Sequence, residues 1–506
     1  MKISHMPRIA LTSIPGRLGF APSRRPLNRP LNRVGRLQKP LWLLGLLGLL
    51  GLHLSVSAQG GSAPERPNII MILSDDHGSG DFAFRGGSCE TPHLDHLFNE
   101  GRTLNRFYTQ PQCTPTRAAF LTGRYPARFG MHYGVVLPHS EWGLPTTEVM
   151  LPEILREEGY ATAMIGKWHV GHANEAMLPE NRGFDYFYGM YNGSLDYFTH
   201  QFPGNRGHDL HENRQPVYPE GYATEIFGDQ AVRYIQARDA EKPFFLYLSF
   251  NAPHDPWQAP EPTIRKYEQR GIERTKAIYL AMVEEMDTAI GRVLAALAER
   301  GMEENTLVVF ASDNGGPYAP QITSNGLQRG EKGTTYEGGI HVPAVAVWKG
   351  QIPSRSSSDE LVYIGDLFPT FVHLAQGAPE RQNRLDSYNI TDTLLHGAAS
   401  PRQRVIQVTG PATFWNGVIT DRWKLVVSVH DQQVASNQSR VGVPANHALY
   451  DLSVDPYEQN DVSADHLEVY QYLLKQWYAV YDQRVKSDFS YSQARGDDPE
   501  IWGQFE

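Results

Sequence analysis

The chain has 506 residues, enough to bury a large core and to form one big domain with a smaller partner. Its composition, 41% hydrophobic and 20% charged with two cysteines, is that of an ordinary globular protein and excludes a disulfide framework, although a single Cys89–Cys113 bridge stays formally open. The formal net charge is −10, but nine of the 46 basic residues precede Ala58, and the 37 that follow face 56 acidic ones, near −19; this excludes a general nucleic-acid or membrane-surface binder. An anionic substrate would therefore need a local cluster of cations set against the global field.

The nine basic residues precede an apolar run, "LWLLGLLGLLGLHLSVSA", that closes on Val56-Ser57-Ala58. A basic n-region, an apolar h-region and a small-residue cleavage pattern predict a secretory signal over 1–58, a mature start near Gln59, and a secreted or periplasmic protein (lysosomal or extracellular in a eukaryote). The run is short for a membrane span and is interrupted by Gly and His, so contact with the membrane is expected only through this signal. From Pro67 short apolar strands alternate with helical patterns. "NIIMIL" is a buried strand ending at the polar loop "SDDHGSGD", and "TTEVMLPEILREEG" is a helix. "YATAMIGKWH" is a strand ending in basic residues, and "KPFFLYLSF" is a buried strand ending at "NAPHDP". The long amphipathic helix "KAIYLAMVEEMDTAIGRVLAALAERG" leads to the strand "TLVVFAS" and the loop "DNGG". This alternation predicts an α/β fold with a mostly parallel sheet sandwiched by helices, and polar residues cluster just past strand C-terminal ends, where such sheets carry their sites. After about residue 376 the pattern loosens. Antiparallel strands are expected in "TFWNGVITDRWKLVVSV" and "HALYDLSVDP", and a closing helix in "HLEVYQYLLKQWYAVYDQRVK". The division read from this is a large domain over 59–400 and a smaller α+β subdomain with an antiparallel sheet over 401–506.

Asp75 and Asp76 directly follow one buried strand, and Asp313 and Asn314 follow another. Each pair alone is an ordinary turn former. Two of them after matching strands make an oxygen-donor set suited to a hard cation such as Ca²⁺ or Mg²⁺. Lys167 and His169, two apart and so on one side of a strand, His254 and Lys332 would surround such a site with cations and a proton donor, as an oxyanion substrate requires. Cys113, in "PQCTPTR", fits neither plain reading: a nucleophilic thiol wants a neighbouring His, and a structural thiol wants apolar surroundings.

Cys-x-Pro-x-Arg followed by "LTGRY", with "SDDHGSGD", "GKWHVG", "SDNGG" and "EKGTTYEGGIHVP" in order, resembles the sulfatases from about Pro67 through "LYDLSVDP", and the stretch "GKWH…RGFDYFYG…DYF" looks most like the arylsulfatase B (N-acetylgalactosamine-4-sulfatase) group. The resemblance implies an alkaline phosphatase-like fold with the large domain catalytic. It also implies a sulfated carbohydrate substrate, one Ca²⁺ per chain, and conversion of Cys113 to Cα-formylglycine by a maturation enzyme. A hydrated aldehyde carries two hydroxyls on one carbon. One attacks sulfur and expels the alcohol; the other then lets the sulfate ester collapse by C–O cleavage, regenerating the aldehyde. Residue by residue, it implies Asp75, Asp76, Cys113, Asp313 and Asn314 at the metal, with Arg117 steadying the hydrate and the metal carboxylates. Lys167 and Lys332 would hold sulfate oxygens, His169 would bond the formylglycine hydroxyl, and His254 would contact sulfate and protonate the leaving oxygen. Two positions depart from relatives, His77 and Ser79 in "DDHGSGD", and the Lys332 segment differs from the arylsulfatase B form. A phosphate monoester or phosphonate hydrolase of the same superfamily is the alternative enzyme, and an inactive sulfate-binding relative the non-enzymatic one. Cys89 reads as a free thiol, the histidines of 200–211 as a solvated loop, and Asn192, Asn389 and Asn437 stand in Asn-x-Ser/Thr sequons that matter only in a eukaryotic secretory pathway.

Overall fold

Strand β1 (Asn68–Ser74) is buried throughout, and its residues alternate between two cores: Ile69, Met71 and Leu73 face one, Ile70 and Ile72 the other. A strand apolar on both faces is the mark of a sheet covered by helices on both sides. The computed structural model describes residues 66–239, 241–378, 384–409, 415–428, 447–490 and 496–505; the leader expected over 1–58 and the sequon at Asn437 lie outside them.

β1 is central in a ten-stranded sheet. The others are β2 (Arg102–Tyr108), β3 (Ala161–Lys167), β4 (Tyr186–Met190), β5 (His211–Glu212), β6 (Gln215–Pro216), β7 (Phe244–Ser249), β8 (Thr306–Ser312), β9 (Ala344–Val347) and β10 (Ser356–Tyr363), in the order β10-β2-β9-β8-β1-β7-β3-β4-β5-β6. The block β8-β1-β7-β3-β4 is parallel, and β9 runs antiparallel to both β8 and β2. One face is covered by α2 (Cys113–Thr122) and α3 (Leu151–Glu157), the other by α1 (Pro92–Glu100), α4 (Ala223–Gln236) and α6 (Arg274–Glu299), with α5 (Glu261–Glu268) beside α6. The expected helix over 146–159 is shorter than its pattern: Pro152 lies in its first turn, where a missing N–H costs nothing, and Met150 is its N-cap.

A second sheet, wholly antiparallel, runs β11 (Val405–Gln407), β12 (Trp415–Ile419), β13 (Trp423–Ser428), β14 (His447–Asp451). The closing helix, Leu467–Tyr481, packs on it through Tyr470, Leu473 and Trp477. Among the described residues no helix is long and apolar enough to cross a membrane.

Candidate active site

Register places the first carboxylates. β1 and β8 pair Ser74 with Ser312, so the residues that follow, Asp75 and Asp313, leave the sheet side by side, and Asp313 N donates to Ser74 O at 3.0 Å. β3 pairs with β7 at Gly166–Ser249, bringing Lys167 to the same edge. Only glycine fits at 166: φ is +108° and a Cβ there would lie 1.9 Å from Ser249 O. α2 supplies the remaining groups. It begins at Cys113, tolerates Pro115 in its first turn, and ends at Gly123 in the left-handed conformation. Every residue of α2 is buried, so Cys113 and Arg117, one turn apart, are aimed at the strand ends and nowhere else.

The sequence-predicted residues meet there. Cys113 Sγ donates to Asp75 Oδ1 at 3.3 Å. Asp75 Oδ2 takes Arg117 Nη2 at 3.2 Å and the Lys167 ammonium in a very close contact, while Arg117 Nη2 also reaches Asp313 Oδ2 at 2.9 Å. Asp76, at φ +59°, accepts Asn314 Nδ2 on Oδ1 at 2.7 Å and Lys332 Nζ on Oδ2 at 2.8 Å. His254 Nε2 stands 3.6 Å from Asp76 Oδ2, and its Nδ1 is 2.6 Å from the carbonyl of Asp255. A carbonyl only accepts, so Nδ1 carries hydrogen and Nε2 is the nitrogen that can take up or give a proton toward the cluster.

His169 enters differently from the sequence expectation. β3 stops at Lys167, and His169 has φ +55°, so strand alternation does not relate the two. Its Nε2 lies 2.9 Å from Val136 O, which makes Nε2 the donor and leaves Nδ1 buried, bare and accepting. Burial, followed by the charges of Lys167 and Arg117, pushes this imidazole well down, so it is neutral.

The electrostatics set deep burial against closely packed opposite charges. Burial raises Asp75, but Lys167, His254 and Arg117 outweigh it and hold the carboxyl down; Asp313 is raised by burial and by the like charge of Asp75. Asn314 Oδ1 is buried without a partner. Three carboxylates and a bare amide oxygen are the donor set of a hard divalent ion, which would relieve the Asp75–Asp313 repulsion, so the residues fit the metal. Ligand atoms of Asp75, Asp76, Cys113 and His254 lie within 4.8 Å of one another, a grouping that adds His254 to the expected set. Cys113 itself is a poor nucleophile as a thiol. Burial, then Asp313 and Asp75, push it well above its usual value, where the thiolate is scarce. Cavities of about 740 and 660 Å³ near Asn305, Thr306 and Trp348–Ser354 lie at the opposite, N-terminal strand ends and contain none of these residues.

A family model described as Sulfatase matches residues 67–378. The chain belongs to the sulfatase family. Arylsulfatase A from Homo sapiens is 35% identical over 486 residues, covering 88% of this chain and 94% of its own, and arylsulfatase J from Mus musculus is 33% identical over 460 residues, covering 82% and 76%. Among solved structures, Ps i-CgsB in complex with k-i-k-neocarrahexaose superimposes with a TM-score of 0.75 at 27% identity, covering 84% of this chain and 95% of that one. The sulfatase is thus a sulfuric ester hydrolase on the alkaline phosphatase-like fold.

Several supporting residues carried no sequence signal of their own. Ser249 Oγ accepts from Arg117 Nη1 at 2.5 Å and donates to Lys167 O at 2.9 Å. Thr116 Oγ1 donates to Asp313 O at 2.7 Å, and Thr114 Oγ1 donates to His169 O at 2.8 Å. Ser79, one of the departures, donates from Oγ to Gln328 Oε1 at 2.5 Å in the loop that leads to Lys332. His77, the other, is buried against Phe82 with ring centroids 3.9 Å apart. The histidines 200, 208 and 211 form no solvated loop: all three are buried, His211 against Tyr191. Asn192 is buried as well, its Nδ2 donating to Asp209 Oδ2 at 3.0 Å, which takes that sequon out of reach in the folded chain, whereas Asn389 is exposed. Cys89 and Cys113 are both free.

Proposed function

We propose that the protein hydrolyses an O-sulfate ester on a carbohydrate, with Cys113 matured to formylglycine by a dedicated maturation enzyme and Ca²⁺ held by Asp75, Asp76, Asp313, Asn314 and the matured residue 113. The observation that carries this reading is the convergence of the Cys113 side chain on Asp75 between Lys167, Lys332 and His254, in surroundings that suppress an ordinary thiolate. The ion supplies charge for the sulfate oxygens and lowers the pKa of a hydroxyl on residue 113. The side chains do the rest. Arg117 holds Asp75 and Asp313 in place. Neutral His169 accepts at Nδ1 from a hydroxyl of residue 113, which both orients it and takes up its proton as the aldehyde is regenerated. Lys167 and Lys332 turn from the carboxylates to the sulfate oxygens, in the manner of an oxyanion hole. His254 Nε2 delivers a proton to the departing sugar oxygen. Formally, Asp75, Asp76 and Asp313 balance Arg117, Lys167 and Lys332, so a divalent cation leaves the pocket locally positive inside an acidic protein.

The carbohydrate class draws support from the neocarrahexaose held by a structural relative, and secretion from the leader pattern of 1–58. Release of inorganic sulfate from a panel of defined sulfated oligosaccharides, alongside the mass of the peptide containing Cys113, tests the whole proposal. Turnover by protein whose residue 113 is still a thiol would overturn it. A phosphate monoester or phosphonate hydrolase would instead release phosphate or a phosphonate from the matching esters, and an inactive relative would bind sulfate without turnover.

A further inference from the structure

Lys332 reaches Asp76 from a loop, residues 329–338, that is fastened on two sides. On one side, among the loops past the large sheet, Lys332 N donates to Gly316 O at 3.0 Å, Gly333 N to Pro111 O at 2.8 Å and Asn325 Nδ2 to Gly330 O at 3.2 Å. On the other side it is fastened to the small antiparallel sheet and to Glu458 beyond it. Arg329 lies 4.1 Å over the Tyr336 ring and donates to Tyr450 Oη at 3.0 Å and to Glu458 O at 2.8 Å. Thr335 Oγ1 donates to Asn416 O of β12 at 3.2 Å. Glu337 N donates to Glu458 Oε2 at 2.7 Å. At the centre is Lys424 of β13, fully buried, its Nζ at 2.7 Å from Glu337 Oε1 and 2.9 Å from Glu458 Oε1. The far oxygen of Glu337 takes Tyr108 Oη at 3.0 Å and lies 2.7 Å from His341 Nδ1.

A lysine enclosed by two carboxylates is an expensive arrangement, and one that apolar residues usually replace without loss of stability. Its geometric effect is specific. The ammonium pins Glu337, five residues after Lys332, to the small sheet; without it two buried carboxylates face each other and push the end of the loop away.

We propose that Lys424, outside the site, is a positioning residue that holds the 329–338 loop so that Lys332 stands at Asp76, which makes the small sheet part of the sulfate-binding apparatus. This rests on the reading of Lys332 as a sulfate ligand.

The test uses the matured, metal-loaded protein and inorganic sulfate, the reaction's product, as probe. In Lys424→Met, amide exchange of residues 329–338 should accelerate about tenfold or more while β1 and β8 keep their protection, which separates loop release from general loosening. Sulfate should bind about tenfold more weakly, and in a Lys332→Ala background the same substitution should change sulfate affinity by less than about twofold, since both act through one ammonium. Thr335→Val removes a loop-to-sheet hydrogen bond without unpairing a buried charge, so it gives the same readout, at about threefold, should Lys424→Met fail to fold. Unchanged exchange in the loop, uniform acceleration across the sheet, or a tenfold loss that persists beside Lys332→Ala overturns the positioning role. Unaltered sulfate affinity in Lys332→Ala alone overturns instead the reading of Lys332.

Discussion

Asn314 donates its amide nitrogen to Asp76 Oδ1 at 2.7 Å, while its own amide oxygen is buried without a partner. The proposed cation would give that acceptor a partner among three acidic side chains. Calcium should therefore raise the melting temperature of chelator-treated protein, at about a hundredfold excess over Kd by an amount equivalent to about 2.7 kcal/mol. Asn314→Leu should blunt that rise, and chelation should abolish activity until Ca²⁺ is returned. Rescue by Zn²⁺ alone would be incompatible with this donor set.

Cys113→Ala should eliminate sulfate release with a stability cost of about 1 kcal/mol, since little more than one heavy atom leaves a packed site. Cys113→Ser retains one oxygen, enough to accept sulfate and too few to expel it, so a single turnover and a sulfated enzyme are expected in the intact mass. Multiple turnovers by the serine variant, in a host that does not mature serine, would rule out the two-oxygen mechanism.

Arg117 is completely buried between Asp75 and Asp313. Arg117→Met leaves those carboxylates without their shared partner, and breaking a buried pair in this way costs about 3–5 kcal/mol. Urea unfolding of metal-free protein should show it; a loss below about 1 kcal/mol would mean that the charges are screened by a route the packing does not reveal.

Stability should peak near pH 6.5. Burial depresses His132 and His172 to about 4 and His211 to about 3, and lowers His200 and His208 as well. A depressed histidine binds its proton more readily when unfolded, so its contribution is complete above 6.5 and is lost as pH falls below it. Burial raises Asp81, Asp209, Asp287 and Glu458 to about 7. These carboxyls stay protonated when folded, so their contribution is lost as pH rises from about 4 through 7. Below 6.5 the depressed histidines, among them also His77 and His447, outnumber the raised carboxyls, among them also Glu180 and Glu285; above it only the carboxyls titrate. Melting temperatures from pH 5 to 8.5 check this, and a continuous rise to pH 8.5 would contradict it.

Much of the site was legible because its residues sit on motifs fixed by strand ends. Asp75 and Asp313 follow fully apolar strands, and one look at their register puts them together. Lys167 was placed by the strand it ends, whereas Lys332 sits in a loop, where a lone lysine has no periodic signature and only its company pointed to the site. Strand β2 ("RTLNRFY") and the edge strand β10 ("SSSDELVY") escaped because polar residues interrupt their apolar pattern. His169 shows the other limit: a positive φ takes a residue off the strand pattern, and nothing in "GKWH" announces it. The Lys424–Glu337–Glu458 triad joins residues far apart in sequence, which no local pattern can foretell.

Enclosure of Cys113 within α2 has a consequence for anyone preparing this protein. With 1% of the residue exposed and its sulfur facing inward, no oxidising partner can reach it once the tertiary structure has closed. If residue 113 is matured as proposed, the modification would have to compete with collapse of the nascent chain, and a molecule that folded first would keep its thiol. Specific activity would then report how often the modifying machinery won that race during synthesis, and no later incubation would improve it.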